Sequence, residues 1–336
     1  MPDWTPIIYR SESMRKLVGA LDRAAPTQYP MMLLGEEGTG KTLVAEAVHR
    51  NSARAGGPFV HENCANIALD MAESILFGHK KGSFTGASED HIGLFHEANG
   101  GTLFLDEVAE LPRAVQAKLL VAVEKGRLRR LGARQEEKVN VRFISATNRN
   151  LVEAQANGQF RSDLLDRLNV LTAVVPPLRE RREDFGLLAQ ALYEEEKRKG
   201  GDFDVTMPEK LPDHVVELLA EHDWPGNVRE LRNAIIRLIT FCPDGNMAEE
   251  DVRYIISAPR VRPPAVAVPV PLATSGSKHV PPDFDLAAHL EREREQYIEA
   301  AVEKASGNVA EAARLLGMSR QALHKALERR PAKGKA

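Results

Sequence analysis

Residues 35–42 read Gly-Glu-Glu-Gly-Thr-Gly-Lys-Thr and fit G-x-x-x-x-G-K-[ST] at every position. Residues 30–34, Pro-Met-Met-Leu-Leu, precede them as a short buried strand; Leu43, Val44, Ala47 and Val48 follow at helical spacing. A glycine-rich turn can match such a pattern by chance, but strand, loop and helix start together are what a phosphate cradle requires. Glycines let the backbone turn sharply and approach phosphates closely. Unpaired N–H groups and the positive helix end then face the anion. In this reading Gly35, Glu36, Glu37, Gly38, Thr39 and Gly40 form the loop, Lys41 reaches the β- and γ-phosphates of a bound nucleotide, and Thr42 holds Mg²⁺.

A second acidic feature fits the first. Gly100-Gly101 introduces Thr102-Leu103-Phe104-Leu105, which ends in Asp106-Glu107. A buried strand delivering two carboxylates to its C-terminal edge puts them where ligands of open α/β sheets bind. Asp106 is expected to support Mg²⁺ through its water shell, and Glu107 to polarise the attacking water. Alone, the pair reads as an exposed acidic turn; downstream of a phosphate loop, the catalytic reading prevails. Asn148, at the tip of a strand over 139–146, is placed to touch the γ-phosphate or that water, although Asn is also an ordinary turn residue.

The elements that must position these groups alternate. Met14, Leu17, Val18 and Leu21 form a helical stripe, and strands are expected at 59–63, 102–106, 139–146 and 169–175. Helices are expected at 69–77, 91–98 and 115–124. Such alternation predicts a mainly parallel sheet covered on both faces. Helices at 183–199, 212–221 and 228–241 follow with no strand between, which predicts a separate small helical domain.

Residues 260–282 contain Pro263, Pro264, Pro269, Pro271, Pro281 and Pro282 and read as a semi-extended linker. Beyond it come a helix over 285–305 and a helix, tight turn and helix over 309–328, with Ser319 as N-cap of the last. Ala313, Leu316, Leu323 and Leu327 face inward. Residues 304–336 carry eight Lys or Arg against two Asp or Glu, while the whole 336-residue chain has net charge −3. A basic helix-turn-helix on a flexible linker reads as a module for double-stranded DNA, its last helix in the major groove. Ser319, Arg320, Gln321, His324 and Lys325 are the candidate contacts, and a helical dimerisation tail is the alternative.

Cys64 and Cys242 are the only cysteines and form no C-x-x-C, which argues against a disulfide framework or a zinc site. No apolar run is long enough to span a bilayer, and the start lacks a signal pattern, so a cytoplasmic protein with no membrane partner is expected.

Residues 77–87, Phe-Gly-His-Lys-Lys-Gly-Ser-Phe-Thr-Gly-Ala, by chemistry alone form a flexible loop whose tip exposes Phe84. They resemble the GAFTGA surface loop of the bacterial enhancer-binding proteins, the AAA+ activators of sigma-54 RNA polymerase, with Ser83 in place of the usual Ala. Residues 100–111 are similar to the Walker B segment of that family, and Thr42 stands where the family often has Glu. The resemblance covers residues 7–257 in the ATPase and 285–330 in a Fis-like module.

It implies a fold of three parts: an α/β AAA+ P-loop core with a parallel sheet (1–178), a helical lid (179–257) and, after a linker (258–284), a small all-α helix-turn-helix domain (285–336). It also implies that Gly82, Ser83, Phe84, Thr85, Gly86 and Ala87 contact sigma-54 in the polymerase holoenzyme. Asn63 would couple the catalytic glutamate to the loops, Asn148 would belong to sensor I, and Arg229 would be the sensor II arginine. Arg161 and Arg167 would be arginine fingers offered to a neighbouring subunit of a ring, usually a hexamer. The match leaves no N-terminal receiver or ligand-sensing domain, so control is expected from a partner protein in trans, from expression level or from assembly. Two rivals stand beside this reading: another AAA+ remodeller, and a DNA-binding regulator with a decayed ATPase. The surface loop and terminal module oppose the first; intact Lys41, Asp106 and Glu107 oppose the second.

Overall fold

The computed structural model describes residues 2–199, 207–242 and 245–257, together with Ile298, Ala301, Val302, Ala305, Asn308, Val309, Ala312, Ala313 and Leu323. The chain divides into two compact units, Met1–Pro259 and Arg260–Ala336.

In the first unit, α1 (Glu12–Ala24), β1 (Met31–Leu34), α2 (Lys41–Arg50), β2 (Phe59–Asn63), α3 (Ala72–Phe77), α4 (Leu94–Glu97) and β3 (Thr102–Asp106) come first. They are followed by α5 (Arg113–Lys125), β4 (Arg127–Leu128), β5 (Glu137–Lys138), β6 (Arg142–Thr147), α6 (Leu151–Ala156), α7 (Ser162–Leu168) and β7 (Leu171–Val174). Four further helices close the unit: α8 (Arg182–Lys199), α9 (Asp213–Ala220), α10 (Asn227–Phe241) and α11 (Glu249–Ser257). Five strands form one sheet in the order β2-β3-β6-β1-β7, and every pairing in it is parallel. β4 and β5 pair antiparallel as a separate two-stranded ribbon.

Strands buried on both faces are largely apolar: β1 is so throughout, β3 over Leu103, Phe104 and Leu105, and β6 over Phe143 and Ile144. On one face Met14, Leu17, Val18 and Leu21 of α1 pack with Val44, Ala47 and Val48 of α2 over Met31, Leu33, Phe104 and Ile144. On the other, Leu76, Phe77, Phe95, Leu119, Leu164 and Leu168 pack over Met32, Leu103, Leu105 and Phe143. Buried Arg142 breaks the apolar run of β6. Its guanidinium donates to the carbonyls of Ala24 and Ala25 at 3.0 and 2.5 Å, satisfying the C-terminal end of α1. Burial pulls its pKa down to about 10.

The helices after β7 bury a core of their own, built on Phe185, Leu192, Tyr193, Val215, Leu219, Trp224, Leu231, Ile235 and Leu238. The sequence predicts helices at 69–77 and 91–98; the structure shortens them to α3 and α4, because residues 78–93 form a looped excursion between them. Helices α6, α7 and α11 and the β4–β5 ribbon are additions that periodicity alone did not reveal. Among the described residues, no helix is long and apolar enough to cross a membrane.

In the second unit, Ile298, Ala301, Ala312, Ala313 and Leu323 are buried together, with Val302, Ala305 and Val309 packed against them. Ala313 and Leu323 are thus inward-facing, as their spacing predicts. Leu316 and Leu327 lie outside the described residues, as do the linker and the candidate DNA contacts Ser319, Arg320, Gln321, His324 and Lys325.

Candidate nucleotide site and surface loop

The parallel register sends the C-terminal ends of β1, β2, β3 and β6 to one edge of the sheet, and a cavity of about 710 Å³ opens there. Glu37, Gly38, Thr39, Gly40, Lys41 and Thr42 line it with Asn63, Asp106, Glu107, Asn148 and Arg229. Residues from five separate stretches of the chain therefore meet at the place the sequence analysis assigns to nucleotide. Gly35 and Glu36 do not line it.

Lys41 is only 6% exposed, and its ammonium donates to the carbonyls of Gly35 at 2.9 Å and Glu36 at 3.1 Å. The Glu107 carboxylate stands 4.0 Å away. A buried ammonium facing an open cavity, beside a helix N-terminus, is a donor set suited to phosphate oxygens.

Glu107 has φ of 50° and ψ of 47°, a left-handed backbone that a non-glycine residue adopts only when its surroundings impose it. Its carboxylate accepts from the Asn148 N–H at 3.2 Å and the Thr147 hydroxyl at 3.5 Å, while Asp106 accepts from the Glu107 N–H at 3.0 Å. Glu107 is thereby tethered to the tip of β6. By resemblance Asn63 would be coupled to this glutamate, and it lines the same cavity. Asn63 turns its Oδ1 to the Ala65 N–H at 2.9 Å, capping the 3-10 turn Cys64–Asn66, and no hydrogen bond joins it to Glu107.

The helical lid reaches the same cavity. The Val228 N–H donates to the Gly38 carbonyl at 3.0 Å, and a Cβ on Gly38 would stand 2.3 Å from the Gly226 carbonyl. Gly38, at φ +76°, is therefore required both by its backbone and by the close approach of the lid. Buried Asn227 accepts from the Leu178 N–H at 2.8 Å and donates to the Glu37 carbonyl and the Glu36 carboxylate at 3.0 and 3.1 Å. Among the described residues the non-glycines with positive φ are Glu107, Trp224 and Asn227, so all three sit in the site or in the lid turn that meets it.

Arg232 and Glu110 also line the cavity and were missed from the sequence. Arg232 stands one helical turn after Arg229, so i, i+3 spacing was the signal that could have found it. It is held by Glu195 and Glu196 of α8, at 2.9 and 2.5 Å. Hydrogen bonds from Arg232 and then Lys199 bring the Glu195 carboxyl down to about 2.

Arg161 and Arg167 do not line the cavity of their own chain. Arg161 donates to Asp163 at 3.0 and 2.7 Å, and Arg167 pairs with Glu124 at 2.6 Å.

The excursion between α3 and α4 is more structured than the sequence suggested. His79 and His91 bridge antiparallel, and the Gly82 N–H closes the tip on the Ala87 carbonyl at 2.9 Å. Phe84, expected to be exposed, is half-buried with its ring edge-on to His79 at 4.9 Å. The bridge brings His79 under the tip and supplies the aromatic partner that sequence spacing hid. Thr85 and Gly86 form the exposed tip instead, and Ala87 is buried.

Ser83 packs against the turn after β4, where a Cβ on Gly132 (φ +73°) would come within 2.8 Å of the Ser83 Cβ. We therefore expect Gly132→Ala to destabilise the chain by about 1–3 kcal/mol, the usual cost of overpacking a tight contact. Ser83→Gly in the same chain should recover the steric part, as read by thermal unfolding. An unchanged midpoint in Gly132→Ala would mean that loop and turn do not touch.

Three family models match successive parts of the chain: sigma-54 interaction domain over residues 7–174, AAA+ ATPase lid domain over 179–265, and bacterial regulatory protein, Fis family, over 291–329. The chain is 41% identical to the Nif-specific regulatory protein of Azotobacter vinelandii, across 93% of its own length and 56% of that protein. It is also 41% identical to the response regulator protein PilR of Pseudomonas aeruginosa, across 93% of its own length and 67% of that protein. The chain thus spans little more than half of the first relative and two thirds of the second. The crystal structure of NtrX from Brucella abortus in complex with ATP superposes with a TM-score of 0.68 at 34% identity, covering 96% of this chain and 69% of that one.

Proposed function

This chain belongs to the family of sigma-54-dependent transcriptional activators, and from that premise we propose that it hydrolyses ATP to remodel sigma-54 RNA polymerase at promoters. The observation that carries the proposal is the meeting of Lys41, Asp106, Glu107, Asn148 and Arg229 in one cavity, in a chain that also presents the Gly82–Ala87 loop.

In this reading Gly35–Gly40 cradle the triphosphate, Lys41 holds its β- and γ-phosphates, and Arg229 closes on it from the lid. Glu107, held by Thr147 and Asn148, orients and polarises the attacking water. Thr42 and Asp106 would hold Mg²⁺, whose contribution is to neutralise charge developing on the phosphate oxygens. Asn63, which lines the same cavity and caps the Cys64–Asn66 turn through its Oδ1, would couple Glu107 to the loops. Arg161 and Arg167 complete the site of a neighbouring subunit in a ring, by family resemblance a hexamer. The C-terminal module binds double-stranded DNA upstream of the promoter through Ser319, Arg320, Gln321, His324 and Lys325, in the cytoplasm where the polymerase works. Residues 1–178, 179–257, 258–284 and 285–336 serve as ATPase core, lid, linker and DNA module respectively.

The loop is the part that separates this function from any other ATPase. Thr85 lies at its exposed tip and is far in sequence from Lys41 and Glu107. We expect Thr85→Ala to assemble, bind ATP and hydrolyse it at close to the parent rate. It should nevertheless fail to retain sigma-54 in a transition-state-analogue complex and fail to open promoters. An ordinary surface position would leave all of these intact, since exposed substitutions shift stability by only about 0.5 kcal/mol. Hydrolysis and open-complex formation measured on one preparation decide the matter, and normal promoter opening by Thr85→Ala would refute the proposed function of the loop.

A further inference from the structure

The phosphate loop carries two adjacent glutamates, and the lid treats them differently. Glu36 lies outside the cavity lining. Its carboxylate takes both arms of the Arg179 guanidinium, at 2.8 and 2.5 Å, and one hydrogen from Asn227 at 3.1 Å. Arg179 foremost brings its carboxyl down to about 2. Glu36 is thus saturated by groups that do not face the cavity. Glu37 lines the cavity itself, and its carboxylate takes Arg229, which lines the same cavity. Both side chains are largely exposed, at 71% and 64%, and among the described residues no second ion pair holds either of them. The backbone around it is anchored independently, by Val228 to Gly38 and by Asn227 to the Glu37 carbonyl.

We propose that Glu37 is a positioning residue that competes with ATP for Arg229. Without nucleotide the carboxylate occupies the guanidinium at the cavity mouth; with nucleotide, the triphosphate offers a more highly charged acceptor to the same group. An exposed ion pair is weak enough to be exchanged in this way, whereas the Glu36 clasp keeps lid and loop together during the exchange. Glu37 thereby lowers the affinity for nucleotide and makes the arginine's transfer depend on phosphate charge, so ATP is favoured over ADP. The inference rests on the proposed role of Arg229 at the nucleotide.

The test is a double-mutant cycle on the full chain, with N-methylanthraniloyl-ATP and N-methylanthraniloyl-ADP as fluorescent probes at low ionic strength, where exposed charges are least screened. Glu37→Gln should tighten binding of the ATP probe by about two- to fivefold, the scale of one exposed ion pair, and that of the ADP probe by less. In an Arg229→Ala background the gain should vanish. Glu36→Gln should not tighten binding in either background. An equal gain with and without Arg229 would show simple charge repulsion and overturn the competition, as would a gain from Glu36→Gln or no gain at all. Arg229→Ala by itself reports on the underlying reading: unchanged nucleotide affinity and hydrolysis in that single variant would remove Arg229 from the site, and the inference with it.

Discussion

Glu107→Gln is expected to bind ATP as the parent does and to turn it over roughly 10²- to 10⁴-fold more slowly, the range for loss of a positioned general base. The structural reason is that the backbone places this side chain almost regardless of its charge. The left-handed conformation at Glu107 and the bonds from Thr147 and Asn148 fix where the group points. A carboxamide can accept the same Asn148 N–H, so the site keeps its shape while losing the negative charge that polarises water. Lys41→Ala should behave in the opposite way. Its ammonium ties the Gly35 and Glu36 carbonyls together, so its removal takes both a phosphate ligand and a brace of the loop, and binding itself should fail. Nucleotide titration and phosphate release on the same preparations separate the two outcomes. Near-normal turnover in Glu107→Gln would strip that residue of its assigned role.

Arg161 and Arg167 should act between subunits, and replacing Arg167 with Ala should slow hydrolysis by about 10³- to 10⁵-fold, the usual worth of an arginine finger. Neither side chain lines the cavity of its own chain. Each is held by a carboxylate, Asp163 or Glu124, in a solvent-exposed pair that contributes little stability. Giving up such a pair for the charge on a transferring phosphoryl group is energetically easy. Mixing Lys41→Ala subunits with Arg167→Ala subunits should therefore restore part of the activity that each lacks alone. In a mixed ring, some interfaces join an intact phosphate loop to an intact arginine. Failure to complement, in rings shown by mass to contain both variants, would place the arginines outside a shared site.

Much of this site is local chemistry. A glycine loop between a strand and a helix, and an apolar strand ending in two carboxylates, are each written within a dozen residues. They were legible because the chemistry demands those residue types at those spacings. Periodicity likewise marked the five strands of the sheet and the stripe of α1. It overlooked α6 and α7, which are too short to display two full turns of pattern, and the two-residue strands β4 and β5. It also misjudged Phe84, because the partner that half-buries it is His79, brought near by a bridge to His91.

The sequence by itself therefore determined the fold class, the phosphate loop, the acidic pair and the loop motif, since each depends on neighbours in the chain. Tertiary structure alone decided which hydrogen-bond donors those groups face. Glu36 meets Arg179 across 143 residues and Glu37 meets Arg229 across 192, and only folding brings such groups together. The same holds for Glu107, whose carboxylate meets the Asn148 N–H across 41 residues. Hydrogen bonds and ion pairs act over a few ångströms, so their partners are set by where the sheet edge and the lid converge, a property that residue spacing does not encode.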